Sequence, residues 1–147
     1  DAFCRVVDDN FSTVNFKAAV SAVANRLAEE ARGSRRQQLF AYRHENVTDI
    51  FAFRAGNLQL GNRYVTHGVE DSAYFVMLAA QMLGFDVCGD EFNVIDTQGD
   101  GHGLANRLRD FVKEVREFDA VASFGRSPLS LAEDLPYDLK AYLLQPF

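Results

Sequence analysis

Asp96, Asp100 and His102 share one polar segment with Gly99, Gly101 and Gly103, running Asp96-Thr97-Gln98-Gly99-Asp100-Gly101-His102-Gly103. Carboxylates beside an imidazole can pass a proton to or from water or a polar substrate. The glycines allow a ligand close to the backbone, and a helix that follows could turn its first N–H groups toward an anion. Asp96 and Asp100 also offer the oxygen ligands that a hard cation prefers. The full calcium-loop pattern is absent, because residue 98 is Gln and the twelfth position counted from Asp96 is Arg107 rather than Glu. A P-loop lysine is missing, and the alternating glycines do not follow the order of a dinucleotide fingerprint.

His67 forms a second cluster with Glu70 and Asp71. Asp71 either orients the imidazole or simply complements the positive end of a helix that begins there. Taken together, His67, Asp96, Asp100 and His102 make a catalytic set for a small hydrolase acting through water or a metal, with Gly99, Gly101 and Gly103 as ligand-binding positions. His44 stands near Asn46, where it reads as part of a solvated turn or as a pH-responsive contact. The histidines at 44, 67 and 102 include no HExxH pair, so no metal-ligand set is assigned, and the cofactor is left unknown. Asp8 with Asp9, and Asp86 with Asp90, are further acidic pairs, best explained by helix ends and turns.

The two cysteines, Cys4 and Cys88, allow one internal disulfide, and Asn10-Phe11-Ser12 and Asn46-Val47-Thr48 are glycosylation acceptor patterns. Asn10 and Asn46 together with a Cys4–Cys88 bridge favour a secreted or extracellular glycoprotein. A free Cys88 would instead be a potential nucleophile beside His102. The formal charge of −6 and pI near 5.0 disfavour nucleic acid and anionic membrane as partners. The most apolar segment, Ala73 to Leu83, is about half the length that spans a bilayer, so no transmembrane segment is expected.

These positions must be held by a fold built from 147 residues, a length that suits a single globular domain over 1–147. The first helix is expected to follow Ser12 or Thr13, with Phe16, Val20, Val23 and Leu27 on its inner face and Gly33 at its end. Phe40 and Tyr42 alternate with Leu39 and Ala41, and Phe51 and Phe53 with Ile50 and Ala52, which predicts strands over Gln38 to Arg43 and Asp49 to Arg54. A turn at Ala55-Gly56-Asn57 leads to a third strand, Leu58 to Val65, completing an antiparallel meander with aromatics in its core. A deep apolar helix follows from Glu70, Asp71 or Ser72 to Leu83, closed by Gly84.

Phe85 to Cys88 and Glu91 to Ile95 read as strands, and Leu104, Leu108, Phe111, Val115 and Phe118 form one helical stripe. Ala120 to Phe124 reads as an inner strand, and Leu129 to Leu144 as a helix broken near Leu135 by Pro136. The order implies an α+β domain with a mixed, partly antiparallel sheet and about four helices, with three-layer α/β as the alternative. The first functional reading is a recognition module for a protein or small polar ligand. The alternatives are the Asp/His hydrolase and a structural assembly protein that self-associates through meander aromatics or Pro146-Phe147.

Overall fold

The computed structural model describes residues 19–99, 101–118 and 135–144. In chain order the elements are α1 (Ala19–Ala31), β1 (Gln38–His44), β2 (Val47–Arg54), β3 (Asn57–Val65), α2 (Val69–Leu83), β4 (Glu91–Asp96), α3 (Gly103–Leu108), β5 (Val115–Glu117) and α4 (Tyr137–Leu143). The sheet runs β3-β2-β1-β4-β5: β1 to β3 form the antiparallel meander, while β4 is parallel to β1 and β5 to β4. This is the α+β domain with a mixed five-stranded sheet packed by four helices.

Strand alternation divides the core in two. Phe40, Tyr42, Phe51, Phe53 and Ile95 meet Val23, Leu27 and Ala31 of α1 and Tyr137 and Ala141 of α4. Leu39, Ala41, Ile50, Phe92 and Val94 face the other way, onto Val76, Ala79 and Ala80 of α2 and Leu104 and Leu108 of α3. Because helices cover both faces, the central strands lack a polar side, which is why β1 and β2 read as aromatic and aliphatic runs. The meander aromatics Phe40, Tyr42, Phe51 and Phe53 are therefore interior rather than available for assembly. Pro146 and Phe147 lie outside the described residues.

Helix α2 is positioned as its pattern implies. Glu70 and Asp71 sit in its first turn, where negative charge suits the helix dipole, and Gly84 ends it at φ 69. Several other expectations need correction. Helix α1 buries Ala22, Val23, Leu27 and Ala31, while Val20 faces solvent, so the small alanines set the contact stripe. The stripe from Leu104 to Phe118 is not one helix: α3 ends at Leu108, Phe111 is exposed, and Val115 opens β5 opposite Phe92. Phe118 instead packs edge-on against Phe40. Parallel pairing with β4 competes with helix continuation there, and tertiary pairing wins.

Residues 85–88 are a turn rather than a strand. The Asp86 carboxylate accepts the Cys88 N–H, and Asp90 accepts those of Asp86 and Gln37. Pro136 opens α4 instead of kinking a longer helix, consistent with its missing N–H being no loss there. The strand expected at 120–124, the helix start near Ser12, Asp8, Asp9 and Asn10 all lie outside the described residues.

The disulfide is overturned. Cys88 is an exposed free thiol in the 85–90 turn, with no sulfur at bonding distance; Cys4 lies outside the described residues. The Asn46 pattern has a structural explanation, since Thr48 is fully buried and its hydroxyl bonds to those of Thr66 and Ser72 at 3.0 and 2.9 Å. The arguments for a secreted glycoprotein thus lose their covalent support. No described helix is long and apolar enough to cross a membrane.

Two measurements check this account. Iodoacetamide added to the native, unreduced protein should alkylate Cys88, seen as a modified Cys88 peptide by mass spectrometry. Gly84→Ala should lower stability by about 1 kcal/mol in urea unfolding, from left-handed backbone strain alone, because a Cβ at residue 84 would meet nothing within 4 Å.

Candidate functional site

Parallel strands β1 and β4 lie side by side, yet the chain leaves them in opposite directions, from β1 into the β2 hairpin and from β4 toward α3 and β5. Open sheets bind ligands in the crevice that such a divergence creates beyond the strands' carboxyl ends. Here that crevice is a cavity of about 370 Å³. Tyr42, His44 and Glu45 from the end of β1 line it, with Thr97 and Gln98 following β4 and Leu135 to Asp138 and Lys140 from the start of α4.

A ladder of polar side chains crosses the strands beneath this cavity. Tyr42 pairs with Asp49 across β1 and β2, and Asp49 with Arg63 across β2 and β3, so all three point to the α1/α4 face. Asp49 is almost wholly buried and accepts three hydrogen bonds: His44 Nε2 at 3.0 Å and Arg63 Nε and Nη2 at 2.6 and 2.8 Å. Burial works to raise the Asp49 carboxyl, but the Arg63 and His44 hydrogen bonds and charges overcome it and hold the group below the usual carboxylate range. An ionised carboxylate only accepts, so His44 must place its proton on Nε2. When the ring carries a single proton, the free nitrogen is therefore Nδ1.

Tyr42 stacks on the His44 imidazole, with centroids 4.1 Å apart and planes 15° apart, which further fixes the ring. Burial, then the nearby negative charge of Asp138, pushes the Tyr42 hydroxyl well above its ordinary range, and it stays protonated. Its oxygen accepts the backbone N–H groups of Asp138 and Tyr137, satisfying the first turn of α4.

The residues singled out by sequence have other settings. Asp96 is the inner partner of Arg43, at 3.1 Å, and it also accepts the N–H groups of Gln98 and Leu104. Its carboxylate thus occupies the start of α3, where the glycine-segment reading would seat an anion. Gly99 and Gly101 have positive φ in the turn between, and a Cβ at Gly103 would come within 3.1 Å of Val69. His102 is exposed and pairs through Nδ1 with Glu117, which Arg109 and then His102 hold below the usual carboxylate range. His67 is exposed, and its backbone N–H is bonded by Asp71, which therefore serves the α2 terminus. Asp100 lies outside the described residues.

Among the described residues no three His, Cys, Asp or Glu side chains gather as a metal set. The His44–Asp49 pair was not selected as a site from sequence. The available signal was strand alternation: His44 continues the Phe40–Tyr42 face, and Asp49 interrupts an otherwise apolar strand.

The architecture is similar to that of a protein from Bacteroides thetaiotaomicron VPI-5482 described as having an actin-like ATPase fold and unknown function. The TM-score is 0.75 and the identity 19%, over 97% of this chain and 50% of that one. The chain spans half the length of that structure, and at this identity the likeness is one of fold. Residues 2–115 match the family model described as Protein of unknown function (DUF3822), and the chain belongs to that family. No curated protein matches the chain.

Asp49→Asn should cost about 2 kcal/mol at pH 7 by removing charge-assisted hydrogen bonds. Because Asp49 has a lowered carboxyl pKa in the fold, its contribution is present above the unfolded value of about 4 and is lost as the pH falls through the folded one. Urea unfolding of wild type and Asp49→Asn should therefore show a difference at pH 7 that shrinks by pH 3.

Proposed function

We propose that the chain is a small hydrolase whose site is the β1/β4 crevice, with His44 as general base and Asp49 as its orienting partner. The observation that carries this reading is the His44–Asp49 hydrogen bond of 3.0 Å, made by a histidine that lines the cavity. A base held in one tautomer by a buried carboxylate is a recurring arrangement in hydrolytic sites. Arg63 is a positioning residue that neutralises Asp49 and clamps it with two hydrogen bonds. The likeness to a protein described as having an actin-like ATPase fold supports hydrolysis as a class, on the ground of fold analogy.

In the reaction, His44 Nδ1 removes a proton from water as the water oxygen bonds to the electrophilic substrate atom. The bond to the leaving group then breaks, and the proton passes from Nδ1 to that group. The cavity volume suits a small polar substrate.

Purified protein should be assayed with p-nitrophenyl acetate, alanine p-nitroanilide and p-nitrophenyl phosphate. His44→Gln should lower turnover of the accepted substrate by about 10² or more, the usual share of a general base, while leaving the urea midpoint near wild type. Ligand binding without turnover in either protein would instead return the crevice to a recognition role.

A further inference from the structure

The two margins of the sheet, β3 and β5, are built differently. β5 has three residues, of which Arg116 and Glu117 are charged, and so short and charged a strand gives another chain little to pair with. β3 runs for nine residues without a proline, and among the described residues it pairs only with β2. Its one charged residue, Arg63, is already neutralised by Asp49. Leu58 and Val65 stand near its two ends, 50% and 65% exposed. We propose that β3 is a self-association edge, which pairs antiparallel with β3 of a second copy of this chain about a two-fold axis through Asn62.

The direction of the backbone groups decides what can dock. Thr66 donates its N–H to Asn46 across the hairpin, at 2.9 Å, and strand alternation then turns the backbone groups of Gly61, Arg63 and Val65 away from β2. Arg63 shows this directly: its N–H donates at 3.0 Å to the side-chain Oδ1 of its neighbour Asn62, a local amide standing where a further strand would be. Donors and acceptors that recur at every second residue are matched along their length by another extended backbone.

The side chains point to a second copy as the owner of that backbone. A bulge leaves Gln59 with no opposite residue on β2 and puts Leu58 on the same face as Gly61, where a Cβ would lie 3.7 Å from the Leu58 side chain. An antiparallel pair centred on Asn62 sets Leu58 opposite Val65 of the second copy, Leu60 opposite Tyr64, Gly61 opposite Arg63 and Asn62 opposite itself. The exposed aliphatic groups cover each other, and the glycine leaves room for the arginine side chain. Gly61 and Arg63 then exchange their outward N–H and C=O groups in reciprocal pairs across the axis. Moving the axis to Arg63 would oppose two guanidinium groups, and moving it to Gly61 would set Leu58 against Arg63, so charge and polarity select one register.

Sedimentation of the full chain from about 10 μM to about 1 mM, the range open to so small an interface, should show the mass rising from 16.5 kDa toward twice that value. Over the same range, hydrogen exchange of the Gly61, Arg63 and Val65 amides should slow. Leu58→Lys/Val65→Lys, at two exposed positions, sets lysines face to face and should weaken association about tenfold. Leu58→Glu/Val65→Lys sets opposite charges face to face in the same register and should restore association to near the wild-type level. A chain that stays at 16.5 kDa throughout would overturn the proposal. Association that survives the Lys/Lys variant, or that is lost equally in a Glu/Lys variant with wild-type circular dichroism, would overturn it too. Slow exchange at those amides in a sample that remains monomeric would assign the edge to another segment of the same chain, with the same consequence. None of these outcomes depends on turnover at the crevice.

Discussion

Parallel pairing of β1 with β4 governs both the core and the crevice. A parallel neighbour cannot be reached by a tight turn, so the chain must cross over, here through β2, β3 and α2, before β4 can be laid down. The crossing helix covers one face of the sheet, and α1 and α4 cover the other. Since β4 pairs onward with β5, the loops after β1 and β4 diverge, and the gap between them is where α4 brings Asp138 and Lys140. Stability and site thus share one register: the alternation that buries Phe40 and Tyr42 also aims His44 at the cavity wall.

Two buried carboxylates at this end of the sheet show how polar groups are accommodated in an otherwise apolar core. Asp49 and Asp96 each lose hydration and regain it as several directed hydrogen bonds, one of them to an arginine. Their outcomes differ because their neighbours differ. Asp96 takes backbone N–H groups and fixes the loop into α3, whereas Asp49 takes an imidazole that reaches the cavity. The same residue type is architectural in one setting and able to tune a base in the other.

The family match and the fold likeness stand at different levels of meaning. Membership covers residues 2–115 and carries no described activity. The solved structure shares an architecture over half its length at 19% identity, and a shared architecture hosts many chemistries. The chemistry must therefore be argued from side chains, and the crevice is lined by His44, which is hydrogen-bonded to the buried Asp49.

Local pattern alone determined the meander, the apolar helix α2 with its Gly84 terminus, and the interior fate of Phe40, Phe51 and Phe53, because period and turn chemistry act over a few neighbouring residues. It misled at Leu104 to Phe118, where a helical spacing hid a short helix followed by an edge strand, and at Cys88, where no partner sulfur lies at bonding distance. The glycine-rich segment drew attention through composition, yet Asp96 spends its carboxylate on the local backbone and Arg43. What only the tertiary structure decided was the meeting of His44, Asp49 and Arg63 with α4. That meeting depends on strand register and on a helix distant in sequence, and neither hydrogen-bond geometry nor burial is written in residue spacing.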